Sequence, residues 1–191
     1  LLSVETAARG DLSNALQWVG QHFGAAVFNY LIYVAIYLTI YCIFNRLAIS
    51  GTVYVVLVAA FILVNLNKFS SNGLYFFPND LKNNANIGNF FQLMIKYLPF
   101  WQMILCILAI ISVYVLMRML DNSFRMRALA RVAVLLPCCG MVLLGCNSFN
   151  LAKQPINKVI GLSGFMAWEP NRNYRNNGMM GTFLGYTQVG Q

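Results

Sequence analysis

The sequence predicts an all-α fold, a polytopic transmembrane helix bundle with amphipathic helices lying at the interface. The chain is 59% apolar and only 9% charged, against roughly 25% charged in an ordinary soluble domain. Four stretches of eighteen to twenty residues carry almost no charge. The period-2 alternation of a membrane barrel strand is absent. A soluble domain of this length has too little interior to hide so much apolar surface, so the solvent is largely lipid. Lipid offers a peptide group no partner, and each crossing must therefore be a helix.

The spans are expected at residues 25–44, 47–66, 98–117 and 132–149. Twenty residues at about 1.5 Å each cover the hydrocarbon core of about 30 Å. Asn29 is the strongly polar member of the first span. Arg46 and Gly51 mark a tight turn into the second, so the two form an antiparallel hairpin. Pro99 opens the third, where a missing N–H costs little. Pro137 and Gly140 lie in the first half of the fourth and predict a kink there. Ahead of the first span, Leu12, Ala15, Leu16 and Val19 recur at helical spacing with Trp18 beside them, and Asp11 or Ser13 can cap the start. This predicts a short helix at headgroup level. Phe90, Phe91, Met94 and Ile95 predict a second amphipathic segment. No signal-peptide pattern opens the chain, so the first span is retained. A chain that starts at Leu1 and stops at Gln191 reads as a piece of a longer protein, with an earlier span ending near Ser3.

The formal charge of +8 sits in loops between apolar runs and not along one helix face, which points to membrane topology and away from nucleic acid. Arg46 lies in one short turn, and Arg118, Arg125, Arg127 and Arg131 crowd another, whereas Lys68, Lys82 and Lys96 are spread over residues 67–97. Positive short loops mark the cytoplasm. The protein is thus expected in the cell membrane as a multi-pass chain, with residues 10–24, 67–97 and everything after 150 outside.

Little in the chain can do chemistry alone. The five cysteines, Cys42, Cys106, Cys138, Cys139 and Cys146, all lie in apolar runs and behave as small hydrophobes, with no metal-ligand spacing. His22 has no carboxylate or thiol at ligand spacing. No span has an ionisable group at mid-depth, which argues against a pump or ion-coupled carrier. Asn29, Asn65, Asn67 and Gln102 fit interhelical hydrogen bonds, and Tyr30, Tyr33, Tyr37 and Tyr41 form a packing stripe. The candidate lipid-binding or substrate-binding residues are Glu5, Arg9, Asp80 and Lys82, charges expected on the outer face at the depth of a phosphate headgroup. Hydrated loops anchoring helix ends are the plainer account of the same charges.

Three stretches resemble the N-terminal membrane domain of the lipoteichoic acid synthase family of membrane-anchored, sulfatase-like phosphoglycerol transferases. The first runs from Glu5, Arg9 and Gly10 through Asp11, Leu12 and Ser13 to Trp18 and His22. The second is Phe77, Pro78, Asn79, Asp80 and Leu81. The third starts at Trp168, Glu169 and Pro170, continues through Asn173, Tyr174 and Gly178, and is followed by Thr182, Phe183 and Leu184. It is similar to that family's connector. The resemblance covers nearly the whole chain; the Asn- and Cys-rich spans depart from it. It divides the chain into a membrane domain, 1–150, and an extracellular connector, 151–191, whose residues Trp168, Asn173, Tyr174 and Gly178 lead to a catalytic domain.

The resemblance implies an enzyme that moves glycerol phosphate from phosphatidylglycerol onto a glycolipid-anchored polymer, lipoteichoic acid, at the outer face of a Gram-positive membrane. The threonine nucleophile and a divalent metal, manganese or magnesium, belong to the extracellular domain, so this stretch holds no catalytic residue; Thr182 and Thr187 are connector residues. Its role is to anchor and position that domain at high local concentration over its lipid. The alternatives are a non-enzymatic membrane scaffold or assembly subunit, and a related phosphoethanolamine transferase or primase. In intact cells, a cysteine placed by Arg125→Cys is expected to resist a membrane-impermeant maleimide and to label after permeabilisation; labelling in intact cells reverses the topology.

Overall fold

A computed structural model describes residues 1–75, 78, 100–119, 125–165 and 169–187. The elements there are helices: α1 (Leu2–Arg9), α2 (Leu12–Gln21), α3 (Phe23–Phe44), α4 (Leu47–Asn72), α5 (Phe100–Met119), α6 (Ala128–Cys146), α7 (Ser148–Leu151), α8 (Asn157–Ile160), α9 (Pro170–Asn177) and α10 (Met179–Gly185). Three of them, α3, α4 over Leu47–Ser70, and α6, are long and apolar enough to cross a bilayer. This is an all-helical membrane protein. The third expected span is also a helix, α5, whose apolar run covers Ile107–Met119.

The long helices stand in the spatial order α6, α3, α4, α5, because α3 packs against both α6 and α4 while α5 packs on α4. The most apolar stretch of α3 is 44% buried within the protein, against 17% for α4 and 11% for α6, so α3 is the central helix. Small residues permit the close approaches. A Cβ on Gly145 of α6 would lie 3.0 Å from Ile32 Cδ1 of α3, and one on Gly51 of α4 would lie 3.1 Å from the Met117 sulfur of α5. Such small positions are how helices meet in lipid, where burial of apolar surface between helices gives little drive. Large side chains such as Leu136, Leu143, Ile107 and Leu116 point outward, as a lipid-facing surface requires.

Hydroxyls inside the spans return to their own helices: Thr39 donates to Ala35 O, Ser50 to Arg46 O, Thr52 to Ala48 O and Ser112 to Leu108 O. The buried Asn65 does the same with its amide, to Phe61 O at 2.8 Å. Each bond removes an unsatisfied polar group from an apolar medium. Helix α6 runs unbroken through Pro137; the carbonyl of Ala133, four residues earlier, forgoes its usual donor. The helix also begins before the expected residue 132 and stops at Cys146, where the Asn147 N–H bonds back to Leu143 and Leu144 and the short α7 starts.

The two arginine-bearing turns lie at one end of the row and touch. Asn45 closes α3 in a left-handed conformation, φ 51°, which asparagine tolerates better than most residues. Its Oδ1 accepts the Met126 N–H at 2.8 Å. At the opposite end, α1, α2 and α7–α10 form a cap over α3. The hydrophobic core sits there, where Val4, Trp18, Phe28, Ile32, Tyr174 and Met179 pack together. The expected interfacial helix is α2: Ala15 and Trp18 face this core, and Leu12 and Leu16 remain exposed. Asp11 takes the N-cap position in extended geometry without a side-chain capping bond.

Candidate functional site

A loop of Asn- and Gly-rich composition ordinarily stays solvated, yet residues 170–185 fold as two short helices against the bundle. Pro170 occupies the first turn of α9, where its fixed φ suits helix initiation. Gly178 breaks α9 from α10 at φ 77°, a conformation that disfavours any side chain. A Cβ there would also lie 2.8 Å from the Asn29 amide nitrogen and 2.9 Å from the Trp18 ring. The glycine lets the chain turn while pressed against α2 and α3.

Four side chains from the first thirty residues hold this turn. Asn29, fully buried in α3, donates to Asn177 O at 2.7 Å and accepts the Gly181 N–H at 2.7 Å. Glu5, also fully buried, accepts the Met179 N–H at 2.9 Å on one oxygen and Arg9 Nε at 3.2 Å on the other. Arg9 continues the chain, donating from Nη2 to Arg175 O at 2.9 Å while its guanidinium lies 4.5 Å from the Trp18 ring centroid. The Trp18 indole N–H donates to Asn176 O at 3.2 Å. Backbone groups at this junction, which would otherwise be buried without partners, are thus bonded by α1, α2 and α3.

A second layer of bonds lies behind it. Asn177 exchanges two hydrogen bonds with the backbone of Ser163, Ser148 donates to Gly181 O, Thr182 donates to Asn173 O, and the Asn173 amide donates to the Tyr186 hydroxyl at 2.7 Å. Thr187 donates to Leu184 O.

Burial pushes the Glu5 carboxyl above the usual carboxylate range, opposed by the Met179 N–H and by Arg9. Burial likewise pulls Arg9 down, opposed by Glu5, and the nearby Arg175 cation adds to the fall. Arg9 and Arg175 both border a cleft of about 710 Å³. Gln17 and Gln21 of α2 line one wall, Leu66 and Phe69 of α4 another. Tyr75 also borders it, with its ring 4.3 Å from that of Tyr174. His22 stacks near Trp18, its centroid 6.1 Å away, and its buried Nδ1 has no hydrogen-bond partner among the described residues.

No family model, curated protein or solved structure matches this chain.

Of the residues singled out from sequence, Glu5, Arg9, Asn173, Tyr174 and Gly178 come together in this cap. Asp80, Lys82 and Trp168 lie outside the described residues. Arg175, Asn177 and Thr182 belong to or follow the third resembling stretch but have no role assigned from sequence, and Ser148 is a residue that sequence reasoning missed. Besides the resemblance, the local signal in residues 170–178 is Asn enrichment, and it reads equally well as a loop. Among the described residues no group of three His, Cys, Asp or Glu side chains could hold a metal ion.

Two outcomes test this arrangement. Asn29→Leu keeps the side-chain volume but strands the Gly181 N–H and the Asn177 carbonyl, and should destabilise the protein by about 2–6 kcal/mol, from about 1–3 per buried orphan, read as a loss of melting temperature in detergent. For Glu5 the folded pKa lies above the unfolded value, so its folded state binds the proton more tightly. That contribution is full below the ordinary carboxylate pKa and is lost as pH rises through the raised value. Melting temperature should therefore fall across that window, and Glu5→Gln should flatten the dependence; an unchanged profile in Glu5→Gln refutes it.

Proposed function

We propose that this chain is the membrane domain of a phosphoglycerol transferase of the lipoteichoic acid synthase kind, one that transfers glycerol phosphate from phosphatidylglycerol to lipoteichoic acid. One observation carries the reading. Two of the three stretches that resemble the family, far apart in sequence, are hydrogen-bonded to each other: Glu5 to Met179, Arg9 to Arg175 and Trp18 to Asn176. The residues just before the second stretch, Gly73 and Tyr75, also touch α9, through Asn171 and Tyr174. A shared contact gives these dispersed motifs a common physical purpose.

In this reading the cap lies at the outer face, the arginine turns lie in the cytoplasm, and α5 also crosses the membrane, as the third of four spans. The connector is a fastened element. It fixes where a following catalytic domain stands over the headgroups, which raises the effective concentration of lipid substrate while limiting tilt. The threonine nucleophile and its manganese or magnesium belong to that domain. A non-enzymatic scaffold predicts no product at all, and a phosphoethanolamine transferase or a primase predicts a different one.

The test is polymer production by the full-length protein in a cell lacking its own enzyme. The wild type should restore a glycerol phosphate polymer, and Gly178→Ala or Arg9→Glu should lower it several-fold at equal protein level in the membrane. Restoration of an ethanolamine phosphate product, or of none, rejects the assignment; equal polymer from the variants rejects the role of the fastening.

A further inference from the structure

The cleft beneath α9 brings two cations to one place at the end of the membrane-spanning row. Arg9 spends Nε on Glu5 and Nη2 on backbone carbonyls, which leaves Nη1 without a bond among the described residues. Arg175 is exposed and makes no ion pair there. Among the described residues one carboxylate, Glu5, offsets one of the two guanidiniums and leaves one positive charge at the cleft. Two guanidiniums bordering one cleft favour an anion between them, and a guanidinium pairs well with phosphate oxygens.

The remaining walls describe what else the occupant carries. Gln17 and Gln21 supply hydrogen-bonding groups, and the buried Nδ1 of His22 lacks a partner among the described residues. Leu66 and Phe69, one turn apart on α4, are 41% and 42% exposed; they give the cleft an apolar side on a helix that crosses the membrane. Trp18 also borders the cleft, and indoles favour headgroup level.

We propose that this cleft binds the headgroup of an anionic phosphodiester lipid, its phosphate held by Arg9 and Arg175, its polar head by Gln17 and Gln21, and the start of its acyl chains along Leu66 and Phe69. The site deepens the reading above and rests on it for the leaflet concerned. The apolar wall favours a lipid over a soluble phosphate, which has nothing to lay against Leu66 and Phe69. Because the Arg9 side chain also holds the backbone carbonyl of Arg175, a lipid bridging the two guanidiniums would add to the fastening of the connector. The site thereby couples lipid occupancy to connector position.

The test uses the full chain in phosphatidylcholine nanodiscs, with phosphatidylglycerol titrated in and retained lipid counted by native mass spectrometry. It reads binding and not polymer, so this inference and the enzymatic reading can fail separately. The wild type should retain one phosphatidylglycerol in preference to phosphatidylcholine. Arg175→Gln, an exposed change that leaves the buried bonds intact, should weaken retention about fivefold, the effect of one cation near a membrane phosphate. Arg172→Gln, on the same helix but paired with Glu169 and away from the cleft, should leave it unchanged. Soluble glycerol 3-phosphate should not displace the lipid. Unchanged retention in Arg175→Gln, an equal loss in Arg172→Gln, or displacement by glycerol 3-phosphate overturns the proposal.

Discussion

A peptide group or carboxylate removed from water must find a partner within the protein, and the cap of this molecule is organised by that demand. Helix α9 ends and α10 begins inside the core, so helix-terminal N–H and C=O groups fall where water does not reach. Glu5 and Asn29 answer them directly. Breaking one such contact costs more than an exposed bond would, because the group left behind stays buried. Apolar packing around Trp18, Tyr174 and Met179 is possible only once those groups are satisfied.

The ion pair between Glu5 and Arg9 differs from an ordinary helix-surface pair. Both residues lie on α1 one turn apart, a spacing worth a few tenths of a kcal/mol in water. Here Glu5 is fully buried and the arginine reaches across to α9. The pair therefore serves geometry more than stability: desolvation opposes the attraction, while the fixed fork of the guanidinium joins a carboxylate, an indole face and a carbonyl from different helices.

The membrane helices were legible because their signal is local. Twenty apolar residues in a row permit few other outcomes, and α3, α4, α5 and α6 start or end within a few residues of the expected bounds. Asn29 was legible as a polar residue needing a partner, but its partner is 148 residues away, and no periodicity encodes such a distance. Residues 170–185 were harder still. Their composition, dominated by asparagine, glycine and arginine, is that of a hydrated linker, and only a contact with α1 and α3 turns the same residues into buried helix. Asn173, Tyr174 and Gly178 were singled out for a family likeness; their physical roles, a bond to Tyr186, a ring contact with Tyr75 and a positive-φ turn, became visible only in three dimensions.

The partners in this cap lie near opposite ends of the described chain, and that has a bearing on biogenesis. During synthesis α1 emerges long before Met179, so Glu5 and Asn29 must wait, with their natural acceptors and donors still on the ribosome, until all the crossings have been inserted. A nascent chain halted after α6 would present a carboxylate, an amide and an indole with nothing to bind. Quality-control factors that patrol the bilayer for unassembled polar residues would find in that trio a direct gauge of whether α9 and α10 had yet been made.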